Sequence, residues 1–190
     1  MVLVEAGAVV RDPTQLAKGS PMAHDDLTAH ARGLIAANFY LTLGTADPDG
    51  FPWISPVYFA PAGDREFYWV SATDARHSRN LAERPEVSLV IFDSTVAPYH
   101  GRAVYVVGEA GEVSGGDLDR ALEAYPRADG GGATAVTRED VTGSAPYRLY
   151  RATASEMWVL CPREPRQPCP LHGLAKDHRA GVTLPDRAPW

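Results

Sequence analysis

The chain has 190 residues, 45% of them hydrophobic and 22% charged, the balance of a globular domain with a core of its own rather than of a disordered segment. Its formal net charge is −6, so no basic surplus exists to hold a nucleic-acid backbone, and any bound anion must meet a local positive site. The opening MVLVEAGAVVRDP carries an apolar patch broken by Glu5, with no basic run ahead of it and too few residues to cross a bilayer, which points to a cytoplasmic protein with no membrane partner.

An N-terminal arm, residues 1–24, precedes a domain spanning residues 25–160. From Asp26 to Asn38, Leu27, Ala31, Leu34 and Ile35 fall at helical spacing and predict an amphipathic helix. Phe39 to Thr45 and Phe51 to Ala60 read as two strands joined by the turn Asp47-Pro-Asp-Gly50. Glu66 to Ser71 is a third strand, Asp74 to Arg84 a short helix stopped by Pro85, and Glu86 to Phe92 an apolar fourth strand. A fifth strand runs from Arg102 to Val113, a helix from Gly115 to Tyr125, a glycine-rich flexible loop from Ala128 to Ala135, and a long last strand from Tyr147 to Leu160. Six strands with hairpin turns and no βαβ rhythm predict a mainly β fold, a small antiparallel barrel with flanking helices. Beyond Cys161 proline, arginine and histidine dominate, and residues 161–190 read as a C-terminal arm packing on the barrel or on a partner subunit.

The segment richest in chemistry is Val70-Ser-Ala-Thr-Asp-Ala-Arg-His-Ser-Arg-Asn-Leu81, where a strand gives way to a helix. Thr73 and Asp74 are suited to cap that helix, yet Arg76 and His77 stand where a capping acid would. Cations in a first turn oppose the helix dipole unless an anion sits there. Helix-start amides, the Ser71 and Thr73 hydroxyls, a guanidinium and an imidazole together suit a phosphate monoester. A plain solvated helix start accounts for the same residues equally well.

The runs Phe67-Tyr-Trp-Val-Ser71, Arg76-His77, Asn80-Leu81 and Arg84-Pro-Glu-Val-Ser-Leu89, with Gly50-Phe-Pro-Trp-Ile-Ser-Pro-Val57 and Gly101 to Ala110, resemble strands and phosphate helix of the pyridoxamine 5′-phosphate oxidase superfamily. The likeness spans Leu27 to Leu160. It implies a six-stranded antiparallel split β-barrel, a homodimer with FMN in the subunit interface, and an FMN-dependent oxidoreductase acting on a small molecule. Carried over, it puts the flavin phosphate on Arg76 and His77, Val70 and Ser71 beside the ribityl chain, and Trp53, Ser55 and Val57 along the ring. Trp158 matches an aromatic that reaches the flavin of the other subunit. Each strand residue among these serves equally well as core. Arg102 and Tyr105 are candidates to steer substrate or stabilise reduced flavin.

The chain departs from the vitamin oxidases at Ile54, Tyr58 and Phe59, where those enzymes carry basic residues, and at His77, where they carry lysine. An imidazole with a pKa of about 6.5 makes that phosphate grip pH-sensitive. Ala/Arg/Gly-rich relatives of this superfamily use a deazaflavin coenzyme, a second reading of the cofactor. A third is a non-enzymatic flavin or haem protein with His77 or His100 as iron ligand. His24, His30 and His100 otherwise read as surface residues. In the tail, Cys161, Cys169, His172 and His178 form C-x7-C-x2-H-x5-H, atom types that suit zinc as a structural clasp, set against a tail that is merely proline-rich.

Overall fold

Hydrophobic alternation with period two builds most of this chain. The computed structural model describes residues 24–128 and 133–184; the expected N-terminal arm, but for its last residue, and residues 129–132 of the expected glycine loop lie outside that range. In chain order it has α1 (His24–Ala37), β1 (Tyr40–Ala46), β2 (Pro52–Tyr58), β3 (Ala60–Ala62), β4 (Glu66–Ala72), α2 (Arg76–Glu83), β5 (Glu86–Phe92), β6 (Ala103–Glu112), α3 (Asp117–Ala124), β7 (Tyr147–Leu160) and β8 (Arg179–Gly181). All neighbours pair antiparallel in the order β2-β1-β5-β6-β7-β4-β3, and β8 adds to the free end of β7. β2 and β4 touch without pairing, so the curled sheet is a barrel left open along one seam, the split-barrel architecture.

Seven strands lie on that path rather than the expected six. The expected second strand breaks after Tyr58, and Ala60–Ala62 forms a separate short strand on β4. β8, also of three residues, was hidden in the tail because so short a strand carries no period to detect.

Leu41, Leu43, Leu89, Ile91, Val104, Val106, Met157 and Val159 face inward. The α1 residues Leu27, Ala31, Leu34 and Ile35 plug the interior and belong to the same cluster. Arg127 donates to the Ala36 carbonyl at 2.6 Å and the Asn38 carbonyl at 2.7 Å, satisfying acceptors that the end of a helix leaves open. On the other face of β4 and β7, Tyr68 and Leu149 pack with Leu118 and Ala121 of α3 in a second cluster. Buried Glu66 ties this layer together, accepting from Tyr68 Oη at 3.0 Å and Arg120 Nη2 at 3.2 Å.

Two details shape the sheet. Ser155 is the extra residue of a bulge opposite Val107 and Gly108, and a Cβ on Gly108 would lie 2.1 Å from the Thr153 carbonyl oxygen, so only glycine allows this approach. The register then aligns Pro56, Thr42, Val90, Tyr105 and Trp158 in one row across the outer face. Beside that row Ile54 is 65% exposed, and Phe92 and Val107 are exposed too. Among the described residues no helix is long and apolar enough to cross a membrane.

Candidate functional site

The open seam ends at the start of α2, and there the structure gathers most of the residues singled out from the sequence. β4 delivers Ser71, β2 delivers Trp53 and Ser55, and the turn at 73–75 reverses the chain so that Arg76 and His77 open the helix. The helix starts two residues later than expected. Its N-cap is Ala75, in an extended conformation, and neither Thr73 nor Asp74 caps it. Arg79 N bonds to the Ala75 carbonyl, so the amides of Arg76, His77 and Ser78 have no acceptor within the helix. No acid occupies this first turn, whereas α3 has Asp117 and Asp119 in its own.

His77 bridges the seam. Its Nδ1 lies 3.1 Å from Ser55 Oγ on β2 and its Nε2 lies 2.8 Å from Ser71 Oγ on β4. Trp53 Nε1 donates to the same Ser55 Oγ at 3.1 Å. Either neutral tautomer satisfies the chain: with Nε2–H donating to Ser71 the Ser71 hydroxyl hydrogen is left to donate onward, and with Nδ1–H donating to Ser55 the Ser55 hydroxyl hydrogen is left. Burial lowers the His77 pKa below its ordinary value, so the imidazole is neutral at pH 7. Without an anion beside it His77 therefore offers a hydrogen-bonding dipole, and the standing charge comes from elsewhere.

That charge is Arg76. Its guanidinium lies 4.5 Å from the Trp53 ring and 5.6 Å from the Phe51 ring, and its Nη2 is 3.5 Å from Asp47 Oδ2. Asp47 sits in the β1–β2 turn, where Oδ1 accepts from Phe51 N at 2.8 Å and Gly50, with φ of +87°, closes the turn. Below, Asn80 Nδ2 donates to Thr45 Oγ1 at 3.0 Å, fixing α2 on β1. A hollow of about 450 Å³, open on one side, borders Asp47, Arg76, Arg79 and Asn80. Asp47, Phe51, Thr45 and Asn80 were missed at the sequence level. Asp47 entered there only as a turn residue, Phe51 only as the first residue of an expected strand, and Asn80 only within the family-like run.

The other expected residues fall elsewhere. Val57 is 7% exposed and part of the main core. Val70 points to the opposite face of β4 from Ser71 and packs with the α3 cluster. Trp158 lies ten residues along β7 from Arg148, the partner of Ser71, roughly 30 Å away at the usual strand rise. It pairs with Tyr105, over which Arg179 sits at 4.2 Å. His30 is half-buried rather than a surface residue, and burial, helped by Arg102, lowers its pKa. His24's side chain lies outside the described residues, and His100 is half-buried in the β5–β6 loop. Cys161, Cys169, His172 and His178 converge at the far end of β7.

The donor set at the α2 mouth suits a phosphorylated cofactor: the first-turn amides carry no side-chain cap, Arg76 opens the helix, and His77 beside it contacts the buried Ser71 hydroxyl. Asp47 must be displaced from Arg76 for an anion to take its full charge. Arg79 borders the same hollow and Arg84 approaches the Gly50 turn, so further basic side chains stand near Arg76.

A family model described as pyridoxamine 5′-phosphate oxidase matches residues 27–161. No curated protein matches the chain. Among solved structures, a haem-binding protein from Mycobacterium smegmatis superposes with a TM-score of 0.60 and 21% identity, over 82% of this chain and 57% of that one. The chain thus spans little more than half of that relative's length. The haem storage protein HutZ from Vibrio cholerae gives 0.56 and 20%, over 70% of this chain and 94% of that one. A Clostridium acetobutylicum protein of the pyridoxinephosphate oxidase family, related to general stress protein 26 of B. subtilis, gives 0.54 and 12%, over 85% and 97%. At these identities the likeness is one of fold.

Proposed function

The chain belongs to the pyridoxamine 5′-phosphate oxidase family, and on that premise we propose that it binds FMN at the α2 mouth, as a homodimer, and works as an oxidoreductase on a small molecule. The observation that carries this reading is the uncapped, acid-free start of α2 with Arg76 beside it. Arg76 and the first-turn amides hold the phosphate, the Ser71 hydroxyl donates next to it, and Trp53 flanks the ring. When bound, flavin supplies hydride or electron transfer. The protein's part is to bind, orient and exclude water. His77 keeps Ser55 and Ser71 in register across the seam, and its neutral state leaves the anion to Arg76.

Two features support the dimer. The hollow beside Arg76 is open to solvent, and a second subunit would close it. The outer sheet face exposes Ile54, Phe92 and Val107 around the Tyr105–Trp158 row, and an exposed apolar sheet face marks an interaction surface. Trp158, remote from its own chain's α2, is then free to serve the partner's flavin.

Haem is the second reading, favoured by the two structural neighbours described as haem proteins. His100, half-buried in a loop and not enclosed in a network like that of His77, is its candidate iron ligand. Titration of the purified protein with FMN and with haemin, followed by absorbance and flavin fluorescence, decides between them. Saturable FMN binding lost in Arg76→Ala supports the first reading. A Soret shift lost in His100→Ala, with no FMN uptake, overturns it. A single violet band in the purified protein would instead identify a deazaflavin.

A further inference from the structure

Of the arm expected to pack on the barrel or on a partner subunit, residues 161–184 fold back along the end of β7. Cys161 directly follows β7, its amide donates to the His178 carbonyl at 3.0 Å, and His178 directly precedes β8, which pairs with β7. Cys169 and His172 lie in the loop between. Both cysteines are unpaired and buried, Cys161 4% and Cys169 1% exposed, although they belong to a loop made largely of prolines and polar residues.

Four ligand atoms meet here. Cys161 Sγ is 3.2 Å from Cys169 Sγ and 3.5 Å from His172 Nδ1, Cys169 Sγ is 3.6 Å from His172 Nδ1, and His178 Nε2 is 3.1 Å from His172 Nδ1. All four lie within 4.8 Å of one another. Zinc–ligand bonds of about 2.3 Å to sulfur and about 2.0–2.1 Å to nitrogen make tetrahedral edges of about 3.8 Å (S···S), 3.6 Å (S···N) and 3.4 Å (N···N). The two S···N edges to His172 agree with these values, the S···S and N···N edges are shorter by roughly 0.3 to 0.6 Å, and the edges from His178 to the two sulfurs stay within 4.8 Å, differences that side-chain rotations cover.

The surroundings also suit a metal. His178 Nδ1 faces the Lys176 carbonyl at 3.2 Å, which places its proton on Nδ1 and leaves the Nε2 lone pair directed into the cluster. Gly173, with φ of +68°, bends the loop so that its amide reaches the Cys169 carbonyl at 2.7 Å. Arg163 grips Asp177 at 2.6 Å across the base of the same loop.

We propose that Cys161, Cys169, His172 and His178 bind one zinc ion in a tetrahedral S2N2 site that clasps the C-terminal segment to the end of the barrel. Two thiolates and two neutral imidazoles balance the dication, and binding releases the thiol protons to solvent. All four positions are filled by protein, so the site is structural and leaves none open for substrate. It also fixes the loop wall of a hollow of about 290 Å³ that Pro162, Arg163 and Pro170 share with His100 and Arg102.

The test uses the full chain, purified without an affinity tag under reducing conditions. Elemental analysis is expected to find one zinc per chain, and cobalt(II) added to metal-stripped protein should give intense visible bands of tetrahedral cobalt with a thiolate charge-transfer band. His178→Ala changes a side chain at the rim of the cluster, so its fold is expected to survive, as circular dichroism will report; its zinc affinity should fall about tenfold or more. Cys169→Ser should lose the charge-transfer intensity of one thiolate. Protein that is metal-free with both thiols reduced, takes up no cobalt, or carries a Cys161–Cys169 disulfide as purified would overturn the proposal. So would a folded His178→Ala variant that binds zinc as tightly as the parent.

Discussion

Asp47 Oδ2 stands 3.5 Å from Arg76 Nη2, so the cation at the start of α2 already has a counter-charge before any ligand arrives. The pair is partly exposed and its direct energy is small, yet it sets the competition that a phosphate must win. Asp47→Asn keeps an acceptor for Phe51 N while removing the charge. FMN and inorganic phosphate are expected to bind several-fold more tightly to this variant, measured by fluorescence quenching and calorimetry. Unchanged affinity for both would mean that the anion does not meet Arg76.

Arg76→Ala removes the guanidinium but leaves the helix amides and Ser71 in place. A charge-assisted hydrogen bond contributes about 1.5–3 kcal/mol, so FMN affinity should fall by about tenfold to a hundredfold, while the thermal midpoint moves little. Riboflavin, lacking the phosphate, should bind parent and variant alike.

His77 ties β2 to β4 through Ser55 and Ser71, and its folded-state pKa is lowered by burial. An unfolded imidazole titrates near about 6.5, so the unfolded chain binds more protons than the folded one just below that pH. Stability is therefore complete above about pH 6.5 and declines as pH falls through the folded-state pKa. His30, lowered in the same direction, adds to the slope. Urea denaturation across this window should be shallower in pH for His77→Gln, whose amide keeps partners for the serines; an identical slope would remove His77 from the account.

The bulge at Ser155 brings the Thr153 carbonyl to within 2.1 Å of where a Cβ on Gly108 would be. Gly108→Ala must push two central strands apart, an overpacking cost of about 1–3 kcal/mol. The equivalent change at Gly111, where nothing lies within 4 Å, should be close to neutral. Thermal melts of the two variants compare them directly.

If the outer face joins two copies, a charge in its middle should separate them. Ile54→Lys, at a position already 65% exposed and outside the core, should elute as a monomer with a native circular dichroism spectrum. Retention of a dimer by this variant and by Val107→Asp would place the interface elsewhere.

The strand–turn–helix from Val70 to Leu81 was legible in the sequence because its message is local: a strand pattern, then cations where a capping acid belongs. The barrel was legible for the same reason, since the alternation in β1, the apolar run of β5 and the helical spacing of Leu27, Ala31, Leu34 and Ile35 need only neighbours in the chain. What the linear pattern could not show was which face or partner each residue would meet. Val57 and Val70 carry the same side chain and were expected beside the same cofactor, yet the curl of the sheet sends one into the main core and the other to α3.

By itself, then, the sequence determined most of the elements, which follow from period and adjacency, while the family and the weight on Arg76 and His77 came from the likeness of its runs to those of known members. Only the tertiary structure decided that Asp47 would face Arg76, that His77 would be neutral between two serines, and that four tail residues spread over eighteen positions would meet at one point. Each depends on segments brought together by closing the sheet and returning the tail to β7, and on the burial which that closure imposes.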